Sequence, residues 1–205
     1  MNTKPIFITG IGTGVGKTIV SAVICEQLKA DYWKPVQAGD LFHTDSDKVW
    51  ELISNSKTKI YNETFKLRLP ASPHQAARLE NIEIKAEDFK LPNMNRNIVV
   101  EGAGGLFVPL SDSFYMIDLI RKLDAEVVLV SRSYLGCINH TLLSLHALKS
   151  LGIRLKHFVF NGNFNEDSQR VILNQLPEES TWSKLPEFGS LNKLSVLQAP
   201  NQIPF

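Results

Sequence analysis

Ile6-Phe7-Ile8-Thr9-Gly10-Ile11-Gly12-Thr13-Gly14-Val15-Gly16-Lys17-Thr18 decides how this chain reads. It opens with three β-favouring apolar residues, which suits one buried strand. Gly10, Gly12, Gly14 and Gly16 follow at alternate positions, and Lys17-Thr18 begins a helix-like run. A strand, a glycine-rich turn and a helix start make an anion site. Backbone N–H groups point at the ligand there, and the helix dipole favours its charge. Glycine admits positive φ and close approach of the backbone to phosphate. In that setting Lys17 reaches the β- and γ-phosphates of a nucleotide, and the Thr18 hydroxyl ligates Mg²⁺. The spacing is Gly10-x5-Gly16-Lys17-Thr18, one residue wider than the usual phosphate loop, because Ile11 stands where the first glycine normally does. A dinucleotide fingerprint fits worse, since it needs glycine at Val15 or Lys17. A ligand-free tight turn is the bland alternative, and Lys17-Thr18 directly after a strand argues against it.

The 205 residues suit one α/β domain, residues 1–205, with a sizeable core. Hydrophobic content is 43% and charged content 21%, both ordinary for a globular protein. A net charge of +1 gives no bulk electrostatic case for a nucleic-acid or membrane partner. Cys25 and Cys137 lie in apolar helix-like stretches and read as buried thiols in a reducing compartment. The first strand begins by Ile6, which leaves no room for a signal peptide, and no apolar run approaches membrane-spanning length. The expectation is a cytoplasmic protein, in which Asn62-Glu63-Thr64 and Asn139-His140-Thr141 are chance sequons. The histidines show no metal-ligand spacing.

Past the loop, apolar positions 19, 20, 23, 24 and 28 mark one face of a helix. Residues 31–36 read as a short second strand, ended or held at an edge by Pro35. Asp45-Ser46-Asp47 resembles a helix N-cap cluster before Val49, Trp50, Leu52 and Ile53. Residues 55–97 are the least legible, with a proline-bounded loop at 69–74 and short helices at 75–79 and 85–90. Val99-Val100-Glu101-Gly102-Ala103-Gly104-Gly105 is the second strong signal, a hydrophobic strand that ends in a carboxylate and glycines. Further elements are a helix at 114–123, a strand at 126–130, a helix at 141–151 closed by Gly152, and a strand at 155–160. Helices at 167–176 and 191–197 complete the reading.

Strands alternating with helices imply a mostly parallel sheet with helices on both faces, of P-loop NTPase type. Ligands of such sheets sit at the carboxyl ends of the strands. The clusters at 10–18, 34–40, 101–105, 136–140 and 161–163 all fall there, so the sequence predicts one shared crevice. Glu101 is the best candidate to hold Mg²⁺, with Asp47 second although Asp also favours helix caps. Lys34, a cation just before a proline at a strand end, would offset charge in phosphoryl transfer.

Taken together, these motifs resemble the dethiobiotin synthetases. The matching segments are Gly10-x5-Gly16-Lys17-Thr18, Lys34-Pro35-Val36-Gln37-Ala38-Gly39, Ser46-Asp47, Ser72-Pro73-His74, Val100-Glu101-Gly102-Ala103-Gly104-Gly105 and Leu135-Gly136-Cys137-Ile138-Asn139-His140. The resemblance implies that ATP, CO₂ and 7,8-diaminopelargonate give dethiobiotin, ADP and phosphate in biotin synthesis. One amine captures CO₂ as a carbamate, ATP phosphorylates it, and the second amine closes the ureido ring. By the same resemblance, Lys17 and Lys34 are catalytic and contact phosphates and carbamate. Gly12, Thr13, Gly14, Val15, Gly16, Lys17, Thr18, Glu101 and Asn161 bind ATP, the last beside adenine. Thr18, Asp47 and Glu101 hold Mg²⁺. Lys34, Ala38, Gly136, Cys137 and Asn139 bind the substrate. The family's homodimer with shared active sites puts the helix start at 136–139 against the partner's substrate. Some members carry Ser at the position of Ala38, Glu at Gly14 and Lys at Tyr134, so individual substrate contacts differ here.

Two competing readings use the same loop. A partition or division-site switch ATPase normally has a lysine early in the loop, where this chain has Ile11, and often a basic or amphipathic C-terminus, whereas residues 198–205 hold no basic residue. A GTPase reading leans on Asn192-Lys193-Leu194-Ser195, which has Ser195 in the acidic position and no strand before it.

Overall fold

The computed structural model describes residues 4–93 and 96–199; Pro200 to the C-terminal Phe205, part of the tail weighed above, lie outside them. Its main feature is a seven-stranded sheet in the order β4-β2-β6-β1-β7-β8-β9. Every pairing in it is parallel. The central strands are β1 (Ile6–Gly10), β6 (Ile98–Gly105), β7 (Glu126–Arg132) and β8 (Leu155–Asn161). Their apolar runs are continuous rather than alternating, because helices cover both faces of a parallel sheet. Phe7, Ile8, Val99, Val100, Val127, Val128 and Phe158 are all buried.

Strand order fixes the helix layers. From β1 the chain passes through α1 (Lys17–Leu28) to β2 (Asp31–Trp33), in one direction along the sheet. From β6 it passes through α4 (Met116–Lys122) to β7, in the other direction. Right-handed crossovers therefore put α1 and α4 on opposite faces. Helix α2 (Asp45–Leu52) and α7 (Lys193–Gln198) pack with α1, while α5 (Cys137–Ser150) packs on β7 and against α6 (Glu166–Leu173). The reversal of direction at β1 opens a crevice beyond the carboxyl ends of β1 and β6, the usual ligand position in such folds.

Several elements differ from the sequence reading. The single strand expected over 31–36 is two, β2 and β3 (Val36–Ala38), separated by Lys34-Pro35. Pro35 has no N–H to donate, and its carbonyl instead accepts from the N–H groups of Thr64 and Phe65, both at 3.0 Å. Strand β3 pairs with β5 (Phe65–Leu67) in a separate two-stranded sheet. That small sheet is fastened by Gly39 N–H donating to the Leu67 carbonyl at 2.8 Å and by Phe65 packed edge-on against Phe89. The illegible stretch also holds β4 (Ile60–Tyr61), α3 (Pro73–Leu79) and a 3-10 turn at Ala86–Asp88. Helix α5 begins four residues earlier than expected, because Gly136 at φ 103° starts it at Cys137. The sequence reading holds no element at the edge strand β9 (Thr181–Leu185), whose five residues offer only Trp182 and Leu185 as apolar positions.

Candidate active site

The loop between β1 and α1 is set by packing as well as by glycine. Ile11 N–H still bonds to the Val130 carbonyl of β7 at 3.1 Å, and Val15 is buried beneath the turn. Gly16 caps α1 at φ 97°, a conformation side chains resist, and a Cβ there would collide with the Asn161 amide. Asn161 itself donates from Nδ2 to the Val15 carbonyl at 2.8 Å. The end of β8 therefore braces the loop from below.

Above the loop is a crevice of about 950 Å³. Of the expected site residues, Thr13, Gly14, Gly16, Lys17, Thr18, Lys34, Ala38 and Glu101 line it. Gly12 contributes through its carbonyl, which accepts from Lys17 Nζ at 3.0 Å. Burial lowers the Lys17 pKa to about 8, against the opposing pull of Glu101. Lys34 is nearly sealed from solvent and bridges two carboxylates, 2.6 Å from Asp45 Oδ2 and 3.1 Å from Glu101 Oε1. Burial works against its charge, but Glu101 and Asp45 outweigh burial and raise its pKa. Asp45 is lowered in turn, because Lys34 and Lys48 overcome its own desolvation. Glu101 accepts from the Thr18 hydroxyl at 2.9 Å as well.

Asp47 does not belong to this group. Its carboxylate, itself exposed, accepts from Thr44 N–H at 2.8 Å and Thr44 Oγ1 at 2.7 Å, closing a capping box at the start of α2. The carboxylate on the crevice is Asp45, two residues earlier. The sequence did carry the signal: Thr44-Asp45-Ser46-Asp47 has the Thr-x-x-acid spacing in which the last residue is committed to the cap.

The segment 136–139 does not line this chain's crevice. The Cys137 thiol is buried, so that helix end offers backbone and Asn139, not sulfur. No side chain caps the helix start, and Leu135 beside it is fully exposed. The proline-bounded loop, legible as a loop and in part as the matching segment Ser72-Pro73-His74, supplies a wall at Pro70, Ala71, Ser72 and Pro73 to which sequence reasoning gave no site role, and it missed Lys48 on α2 altogether. The Asn192-Lys193-Leu194-Ser195 stretch also closes a capping box, at the start of α7. That local role accounts for the GTPase-like pattern.

With this geometry in view, comparison with known proteins is informative. A family model described as an AAA domain matches residues 4–201. The ATP-dependent dethiobiotin synthetase BioD of Christiangramia forsetii is 50% identical over 169 residues, covering 82% of this chain and 81% of its own. The chain belongs to the dethiobiotin synthetase family. The family's BioD from Rhodopseudomonas palustris strain HaA2 extends the match to 94% of this chain and 87% of its own, at 43% identity. Solved structures share the fold alone. The MinC:MinD cell division complex of Aquifex aeolicus superposes with a TM-score of 0.53 at 16% identity, covering 96% of this chain and 86% of that one. A ParA family ATPase from Chlorobium tepidum gives 0.51 at 11% identity, covering 98% and 100%. The fold is thus of P-loop NTPase type, and family membership rests on the synthetases.

Proposed function

We propose that the crevice joins 7,8-diaminopelargonate and CO₂ at the expense of ATP, giving dethiobiotin, ADP and phosphate, with one domain over residues 1–205 carrying the whole reaction. The observation that supports this most is the convergence of buried Lys17 and Lys34 with Thr18, Asp45 and Glu101 at the mouth of the glycine loop. The loop N–H groups and Lys17 hold the triphosphate. Lys34, kept charged by its carboxylates, stabilises negative charge on the carbamate and on the phosphoryl group in transfer. Ala38 and the Pro70-Ala71-Ser72-Pro73 wall bound the diamine. Asn161 positions the loop under the nucleotide.

Thr18, Asp45 and Glu101 offer only oxygen, the donor set that suits Mg²⁺. Among the described residues no group of three His, Cys, Asp or Glu side chains forms a metal cage by itself. The remaining ligands would therefore be phosphate and water oxygens, as is usual for this ion. Bound there, Mg²⁺ supplies charge neutralisation on the phosphates.

The reading extends to a cytoplasmic homodimer with shared sites and no nucleic-acid or membrane partner. Segment 136–139 lies outside its own crevice, and its uncapped helix start suits the far carboxylate of the diamine bound in the other subunit. No helix among the described residues is long and apolar enough to cross a membrane. The test supplies purified protein with ATP, bicarbonate and 7,8-diaminopelargonate and follows dethiobiotin by mass spectrometry. One ADP and one phosphate should accompany each product. ATP hydrolysis indifferent to diamine and bicarbonate would refute the reading in favour of a switch ATPase.

A further inference from the structure

The two oxygens of Glu101 face different neighbours. Oε1 accepts from Thr18 Oγ1 at 2.9 Å and Lys34 Nζ at 3.1 Å, and both donors line the crevice. Oε2 accepts from Ser21 Oγ at 2.8 Å and Tyr32 Oη at 3.0 Å. Ser21 and Tyr32 are fully buried behind the crevice. The partners of Oε1 can exchange for ligand contacts when nucleotide and metal arrive. Those of Oε2 are sealed from solvent and do not line the crevice.

Register explains the arrangement. Tyr32 on β2 lies opposite Val99 on β6, and Glu101 is two residues beyond Val99. Side chains two apart on a strand share a face, so Tyr32 and Glu101 project together towards α1. Thr18 and Ser21 are three apart on α1 and share one side of that helix. Packing alone does not explain the phenol, since phenylalanine would fill the same space without a polar group to satisfy.

We propose that Tyr32, assisted by Ser21, is a positioning residue that clamps Glu101 by Oε2 and so presents Oε1 beside Thr18 to the metal. This rests on the reading of Glu101 as a Mg²⁺ ligand. A carboxylate turns easily about its last torsion, and two buried donors on one oxygen remove that freedom. Outer hydrogen-bond partners of metal ligands typically change affinity by about 10- to 100-fold when removed.

The experiment titrates Mg²⁺ calorimetrically into the ADP-bound protein for Tyr32→Phe, Ser21→Ala and Glu101→Gln. Steady-state kinetics and urea unfolding of each variant run alongside. Tyr32→Phe should weaken Mg²⁺ about tenfold and lower kcat at fixed Mg²⁺, with KM for the diamine within about twofold. Ser21→Ala should move both quantities in the same direction, and it decides the matter if Tyr32→Phe fails to fold. Wild-type Mg²⁺ affinity in both hydroxyl variants, with affinity lost in Glu101→Gln, would reduce Tyr32 to a packing residue and overturn the inference. Unchanged affinity in Glu101→Gln would overturn the metal reading itself, and the clamp with it.

Discussion

Lys34→Gln separates the electrostatic role of this lysine from its chemical one. Lys34 Nζ lies 2.6 Å from Asp45 and 3.1 Å from Glu101, and the three side chains are 5%, 21% and 1% exposed. Removing one partner from a buried ion pair costs about 3–5 kcal/mol, because a charge is stranded in low dielectric. Asp45 keeps some solvent contact and has Lys48 at 3.3 Å, so the loss falls at the lower end, about 3 kcal/mol. For a chain of this size that is roughly 6–12 °C in Tm. The pH dependence follows from the direction of each shift. In the wild type, Lys34 holds Asp45 below its ordinary value. That stabilisation is complete above a pH of about 3.9 and is lost as pH falls through the lowered folded value. Lys34 is raised, so its own contribution is complete below about 10.4 and is lost only as pH climbs through the folded value. In the variant the two carboxylates repel, one is pushed upward, and protonation relieves it. The stability gap should therefore narrow between pH 7 and pH 5, and Mg²⁺ should narrow it further. Turnover should fall roughly 10²–10³-fold with ATP KM little changed, as for other lost charge stabilisers. Urea unfolding at both pH values, with and without Mg²⁺, measures the first effect and steady-state kinetics the second. A loss below about 1 kcal/mol that is flat with pH would refute the assignment of Lys34 as the cation holding this pair.

Asp45→Asn should raise the Mg²⁺ concentration needed for activity, whereas Asp47→Ala should leave it unchanged and cost only about 1 kcal/mol as a lost cap; Mg²⁺ titration of activity distinguishes them. Because burial lowers Lys17 to about 8, its charge is lost as pH rises through that value. ATP binding followed by calorimetry should weaken about tenfold from pH 7 to pH 9, and a flat profile would exclude Lys17 as a charged phosphate contact. A shared site predicts that inactive Lys17→Ala and inactive Asn139→Asp regain activity when their subunits are exchanged. Asn139→Asp suits the purpose because an acidic residue in the first turn favours the helix while repelling a substrate carboxylate. No recovery despite confirmed exchange would place each site within one chain.

The parallel sheet and the glycine loop were legible because each rests on local pattern: continuous apolar strands, glycine spacing and Lys-Thr at a helix start. Glu101 and Lys34 were legible because strand ends converge in such sheets. Asp45 was legible only indirectly, through the Thr44-x-x-Asp47 spacing that commits Asp47 to the cap and leaves its neighbour two residues earlier free for the crevice. Tyr32 and Ser21 were hidden because their role is a long-range contact from β2 and α1 to β6. The small β3–β5 sheet escaped notice because strands of two or three residues carry almost no periodicity. The helix start at 136–139, expected to face the substrate of the other subunit, lies outside its own chain's crevice, and pattern within one chain does not define what lies across a subunit boundary.

The separate sheet of β3 and β5 divides the enzyme into two workshops. In the proposed reaction, phosphate is handled from β1, β2, β6 and α1, whose strands lock together deep in the core. The wall from Ala38 to Pro73, proposed to meet the acceptor, hangs on a small sheet whose two strands are tied by the Pro35 carbonyl and Gly39 N–H and which packs on its surroundings through Phe65 against Phe89. Under the proposed function, substitutions in that wall should reshape which molecule is admitted while leaving the hydrogen-bonded ladder of the seven-stranded sheet in place. A chain built this way can change its customer while keeping its engine, and residues 65–73 are where such a change would begin.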